Sequence, residues 1–79
     1  MYYMYILESK KDKTLYIGLT DNIPKRLKEH NSGMSKYTKG HSPYAIVFYS
    51  AFINRSLAVK FERYLKTASG RAFIKKKIN

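Results

Sequence analysis

Residues 2–18, Tyr2-Tyr3-Met4-Tyr5-Ile6-Leu7-Glu8-Ser9-Lys10-Lys11-Asp12-Lys13-Thr14-Leu15-Tyr16-Ile17-Gly18, decide how this chain folds. Residues 2–8 are rich in aromatic and branched side chains and read as a strand. Residues 9–13 are a polar turn, and residues 14–18 form the second strand of a hairpin. A strand shows alternate side chains to opposite faces, so Tyr5 and Tyr16 share a face in one register parity and not in the other. The sequence leaves both parities open.

Working outward, Asp21 or Asn22 can cap a helix, and Pro24 is tolerated in its first turn, where a missing N–H costs little. The helix runs to about Asn31, with Gly33 as terminator. Ile23, Leu27 and His30 lie on one face, with Arg26 at its edge, so Arg26 and His30 stand one turn apart. Residues 32–42 are a polar, basic loop with Lys36, Lys39 and two glycines, which has room to touch phosphate. Pro43 opens a third strand over 44–52, whose near-continuous apolarity predicts a central, covered position. Asn54 or Ser56 caps a second helix to about Lys66. Its apolar stripe is Leu57, Ala58, Phe61, Tyr64 and Leu65, and Glu62 falls at the stripe's margin. Ser69-Gly70 is expected to break that helix. Residues 71–78 then form a short basic helix with Ala72, Phe73 and Ile78 as packing residues. The order β-β-α-β-α-(α) predicts one α+β domain over residues 1–79, a three-stranded antiparallel-type sheet flanked by helices.

Charge narrows the function. Sixteen Lys and Arg face five Asp and Glu, a net +11, and so small a basic domain is built to meet a polyanion, nucleic acid first. A merely solvated surface or an anionic membrane contact is the plainer alternative, although neither main helix is long or apolar enough to favour a membrane. There is no cysteine, so disulfides and thiolate metal sites are excluded. No apolar run is long enough to span a bilayer. The first seven residues lack a signal peptide's basic leader and cleavage site, and the expected compartment is the cytoplasm. Glu8, Asp12, Asp21 and Glu29 all lie early in the chain; after them Glu62 is the only acid. It sits among Lys60, Arg63 and Lys66 and is either an intrahelical charge partner, of Lys66 by i,i+4 spacing, or a functional ligand. Composition alone favours the partner.

The run Tyr16-x-Gly18-x-Thr20-x-Asn22-Ile23-x-x-Arg26-x-x-x-His30-Asn31-x-Gly33, followed by Lys36-Tyr37-Thr38, Pro43 and Glu62, resembles the GIY-YIG nuclease family. It is similar to the small stand-alone bacterial members, to the nuclease domain of the Slx1 type and to the N-terminal domain of the excision-repair C subunit. Tyr3-Met4-Tyr5 stands where that family has Gly-Ile-Tyr, and Tyr16-Ile17-Gly18 stands as Tyr-Ile-Gly. The resemblance covers nearly the whole chain and implies a three-stranded sheet flanked by helices. It also assigns roles. Glu62 would hold one divalent ion, Mg²⁺ or Mn²⁺, which keeps several waters. Tyr16 would be the first candidate to activate the attacking water, and Tyr5 would orient that water or share the task. A free tyrosine has a pKa near 10, so a nearby cation must lower it for this task. Arg26 would grip the phosphate, His30 would hydrogen-bond to water, tyrosine or phosphate, and Gly18 would let backbone approach the site. Two departures stand out. Leu19 occupies a position where some members carry lysine, and where many members place a metal-site or phosphate-contacting asparagine after the glutamate, the only asparagine downstream of Glu62 is the last residue, Asn79.

The implied activity is metal-dependent hydrolysis of DNA phosphodiesters, in repair or recombination. The alternatives are a non-catalytic nucleic-acid-binding module and a nuclease subunit activated by a protein partner that also supplies specificity. Lys36 and Lys39 in the loop, with Arg71, Lys75, Lys76 and Lys77 in the tail, are the expected phosphate contacts, salt-sensitive and almost sequence-blind. Tyr37 or Tyr44 could stack on an unpaired base, core packing being at least as good a use of Tyr44. His41 reads as polar surface.

Overall fold

The structure, a computed structural model, describes residues 1–33 and 40–78. Lys36, Tyr37, Lys39 and Asn79, together with the side chain of Ile78, lie outside the described residues. The elements follow the order β1 (Tyr2–Ser9), β2 (Leu15–Thr20), α1 (Ile23–Asn31), β3 (Tyr44–Phe52), α2 (Arg55–Leu65) and α3 (Ala68–Ile78). The sheet is antiparallel, in the order β2-β1-β3. This is the α+β arrangement that the sequence predicts.

The hairpin turn is organised by Ser9. Its hydroxyl accepts from the amides of Lys11 and Asp12 at 3.1 and 3.3 Å and donates to the carbonyl of His41. That turn fixes the register, with Tyr5 opposite Gly18 and Leu7 opposite Tyr16. Tyr5, Leu7, Tyr16 and Gly18 therefore share one face. β2 also runs two residues beyond Gly18, pairing Leu19 with Met4 and Thr20 with Tyr3.

Both sheet faces are covered. On one, Ile23 and Leu27 of α1 pack with Tyr5, Leu7, Tyr16, Tyr44 and Ile46. On the other, Met4 and Ile6 meet Leu65 of α2 and Ile74 of α3. Met4, Ile6 and Leu65 are almost wholly buried, each contributing about 1.5–3 kcal/mol. Double coverage corrects the reading of the third strand. β1 is central and β3 is an edge. The apolar run of β3 arises because its two faces both meet helices, and because the register slips opposite Ile6 and Leu7, which pair with Phe48 and Ile46 and leave Val47 as an extra residue.

Caps follow the local chemistry. Asn22 Oδ1 accepts from the Lys25 amide at 3.1 Å and Asn54 Oδ1 from the Leu57 amide at 3.0 Å, so these are the N-caps rather than Asp21 and Ser56. Gly33, with φ of 81°, follows the end of α1 as expected. The Ser69-Gly70 break is overturned. The chain turns at Lys66 and Thr67, the Thr67 hydroxyl accepts from the Gly70 amide at 3.1 Å, and α3 runs straight through Gly70. A Cβ on Gly70 would lie 2.0 Å from the Tyr64 carbonyl oxygen and 2.4 Å from Leu65 Cα. Glycine is there so that α3 can touch the end of α2, not to end a helix. With α3 in that phase, Phe73 and Ile74 face the core and Ala72 is exposed, which corrects the expected packing role of Ala72.

Candidate active site

The register puts two tyrosines of the hairpin under α1. The Tyr5 hydroxyl and His30 Nε2 are 2.9 Å apart. The Tyr16 and His30 rings lie 4.8 Å apart by centroid, and those of Tyr5 and Tyr16 6.3 Å. Tyr44 closes the far side of the histidine at 6.3 Å. His30 and Tyr5 are 0% and 1% exposed. Their closeness depends on Gly18, where a Cβ would sit 2.5 Å from the Tyr5 hydroxyl oxygen and 2.9 Å from Tyr16 Cε2. The space that Gly18 leaves is filled by the tip of Tyr5.

Burial sets the electrostatics of this nest. Burial, then the neighbouring Tyr16, pushes the Tyr5 pKa up to about 12, with the Arg26 guanidinium pulling the other way. Burial and then the charge of Arg26 push His30 below its ordinary value, with Glu29 opposing. At neutral pH both rings are uncharged. Arg26 has only donors, so toward it the Tyr5 oxygen can only accept, while the same hydroxyl shares its hydrogen bond with Nε2. Arg26 is itself held by Glu29, Nη1 to Oε1 at 2.9 Å. This partner was not singled out from sequence, although its i,i+3 spacing was a usable signal. Asn31, part of the motif run but given no role there, has a structural one. Its side-chain oxygen accepts from the Tyr44 amide at 2.6 Å and its side-chain nitrogen donates to the Tyr44 carbonyl at 3.2 Å, fastening α1 to the edge strand.

Glu62 comes from the other layer. It projects from α2 toward the unpaired edge of β2, where it lines a groove of about 490 Å³ with Tyr16, Gly18 and Lys66. The candidate site thus straddles one strand, with tyrosines, histidine and arginine above it and the carboxylate below. Glu62 Oε2 pairs with Lys66 Nζ at 2.9 Å, the intrahelical pairing that composition favours, yet the carboxylate sits at the groove margin with 18% of its side chain exposed. Among the described residues no group of three or more His, Cys, Asp or Glu side chains could surround an ion. One carboxylate facing an open groove suits a cation that keeps most of its waters, as Mg²⁺ does.

The remaining expectations separate. Arg71 and Lys75 line a neighbouring hollow with Lys66. Lys76 and Lys77 are exposed on α3, with the Lys77 ammonium 5.8 Å from the Phe73 ring centre. Tyr44 is a core residue, 5% exposed. His41 Nδ1 lies 2.6 Å from Asp12 Oδ2, a link at the surface. No helix among the described residues is long and apolar enough to cross a membrane.

Comparison with known proteins gives the class to which this fold belongs. Residues 1–79 match the family model of the GIY-YIG catalytic domain, so the chain belongs to the GIY-YIG family, a nuclease family acting on nucleic acid. Within it the chain is similar to the UPF0213 proteins. One from Syntrophus aciditrophicus is 48% identical over 69 residues, 85% of this chain and 78% of that protein. One from Clostridium perfringens is 45% identical over 67 residues, 84% of this chain and 71% of that protein. The solution NMR structure of a UPF0213 protein from Bacillus halodurans aligns with a TM-score of 0.56 at 34% identity, covering 96% of this chain and 84% of that one.

Proposed function

We propose that this protein is a metal-dependent endonuclease that hydrolyses DNA phosphodiester bonds at the open edge of β2, with Glu62 as the protein ligand of one Mg²⁺ or Mn²⁺. The observation that carries this reading is that Tyr16 and Glu62, from opposite layers, line one groove. The ion, when bound, polarises the scissile phosphate and stabilises charge on the leaving 3′ oxygen. In this reading Tyr16, at the groove wall, gives its phenolic proton to solvent and as phenolate takes the proton of the attacking water. As the water oxygen bonds to phosphorus, the P–O3′ bond breaks and the leaving oxygen is protonated from solvent. Tyr5, protonated at neutral pH, is hydrogen-bonded to His30, and the pair holds the Tyr16 ring in place from behind. Arg26 is placed beside both tyrosines, and in this reading exchanges Glu29 for the substrate phosphate and stabilises charge in the transition state.

The Glu62–Lys66 pair at 2.9 Å favours a second reading, a nucleic-acid-binding module in which Glu62 is only a helix charge partner. Labelled duplex, single-stranded and branched DNA, incubated with Mg²⁺, Mn²⁺ or EDTA, separate the two. Metal-dependent cutting that disappears in Glu62→Gln at equal DNA binding supports the nuclease. Binding by both proteins with no cutting of any substrate leaves the binding module or a partner-activated subunit. A preference for branched or damaged DNA would assign the enzyme to repair or recombination.

A further inference from the structure

Two hollows meet at Lys66. The first is the groove of Tyr16 and Glu62. The second has a volume of about 810 Å³, shares Leu15, Ile17 and Lys66 with the first, and adds Lys13, Arg71, Lys75 and Glu8. We propose that the second hollow is a phosphate-binding subsite, which holds the nucleic-acid strand on one side of the scissile bond through Lys13, Lys66, Arg71 and Lys75. This deepens the nuclease reading and rests on it.

Three separate elements supply the cations. Lys13 comes from the hairpin turn, where its φ is 66° and its amide donates to the Ser9 carbonyl at 2.9 Å. Lys66 caps the C-terminus of α2. Arg71 and Lys75 stand one turn apart on α3 and so share a face. Convergence of this kind comes from tertiary structure rather than from a run of lysines, and the neighbouring Lys76 and Lys77 are not among the lining residues. Of the four cations Lys66 is paired with Glu62, and the other three against the lining carboxylate Glu8 still make the hollow attractive to an anion with several charges. Its floor, with Leu15, Ile17 and Ile74, offers apolar contact to sugar and base while the cations hold phosphate. A bilayer surface is a poor occupant because the cations line a concavity. A flexible strand can enter it and continue into the Tyr16–Glu62 groove through Lys66, which borders both.

The test compares the parent chain with Lys13→Gln/Arg71→Gln/Lys75→Gln. All three residues are exposed, so folding should survive, and circular dichroism checks it. Lys66 is left intact because it pairs with Glu62. A charge-matched control is Arg55→Gln/Lys60→Gln/Arg63→Gln, exposed positions of α2 outside the hollow. Binding of a fluorescent single-stranded 20-nucleotide DNA is followed by anisotropy in EDTA across a salt series. Loss of three phosphate contacts at about 0.7 each makes the slope of log K against log salt shallower by roughly 2 and weakens binding at least roughly tenfold at 0.1 M salt. The control should change the slope by much less. A parental slope in the hollow variant, or equal losses in the control, overturns the subsite. Cleavage adds a second readout. The hollow variant should lose much more kcat/KM on the long strand than on bis(p-nitrophenyl) phosphate, which is too short to span from the groove into the hollow. Equal loss on both substrates also overturns the proposal. If no form of the protein cuts anything, the nuclease reading fails, and the salt slopes still decide the subsite.

Discussion

The two halves of the candidate site differ in almost every physical respect. Above β2, Tyr5 and His30 are buried, neutral and hydrogen-bonded to each other. Below it, Glu62 and Lys66 are charged and border open grooves. The upper half is continuous with the hydrophobic core of α1, so altering it must disturb folding as well as any chemistry. The lower half is paired at the surface, where an ion pair contributes little to stability. Its residues can change partners at small cost. The difference assigns tasks, with rigidity above the strand and exchangeable charge below it.

The sharpest way to break this comparison is Glu62→Gln. Cleavage should fall roughly 10²–10³-fold or more, the scale of removing one group that stabilises transition-state charge, while thermal stability moves by about 1 kcal/mol or less. A large loss of stability would place Glu62 with the structural half. Gly18→Ala is next and joins the halves, because Gly18 lines the groove of Glu62 and an added Cβ would meet Tyr5 and Tyr16 above it. Overpacking of this kind costs about 1–3 kcal/mol. Activity should fall with it as the Tyr16 ring is displaced, as read by denaturant melts and initial rates.

Tyr5→Phe leaves His30 Nε2 without the Tyr5 hydroxyl and should cost about 1–3 kcal/mol. Its pH dependence is more telling. Tyr5 is raised to about 12, so the unfolded chain loses this proton first, and stability falls as pH rises from 10 toward 12 by about 2–3 kcal/mol. His30 is lowered, so the unfolded chain gains its proton first, and stability falls as pH drops below about 6.5. Denaturant midpoints against pH should show a plateau between these limbs. Tyr5→Phe should abolish the Tyr5 contribution to the alkaline limb, and an unaltered limb would assign it elsewhere.

Much of this was legible in the sequence. The order of elements followed from hydrophobic period and turn residues. The grouping of Arg26 with His30 followed from their helical spacing, and Glu62–Lys66 from theirs. The parity of Tyr5 and Tyr16 was not legible, because period 2 is satisfied by either register and the Ser9 turn makes the choice. The rank of β3 was misread because apolarity reports coverage of two faces, not position in the sheet, and a register slip lengthened the apolar run. Gly70 was misread because local propensity calls glycine a breaker, whereas contact with Tyr64 and Leu65 demands it. Lys13 gave no signal at all, since only the folded hairpin brings it to α3.

The smallest expected effect belongs to Asp12→Asn, in the exposed hairpin turn. The Asp12 carboxyl is held well below its usual range, first by the Thr14 hydroxyl and then by the Thr14 amide, with His41 adding to them. Its contribution is present at neutral pH and lost as pH falls through that lowered value. Because the group is exposed, the substitution should shift Tm less than either Gly18→Ala or Tyr5→Phe, with DNA cleavage unchanged at pH 7. A larger shift would extend the structural half into the hairpin turn.

The unpaired edge of β2 has one more consequence. An open strand edge is a template for another chain, and proteins that keep one must guard it against aggregation. Here Lys13 and Lys66 stand beside the edge, on a molecule of net charge +11. Two copies approaching edge to edge would press like charges together. The groove that can admit a polyanion is thereby protected from its own kind.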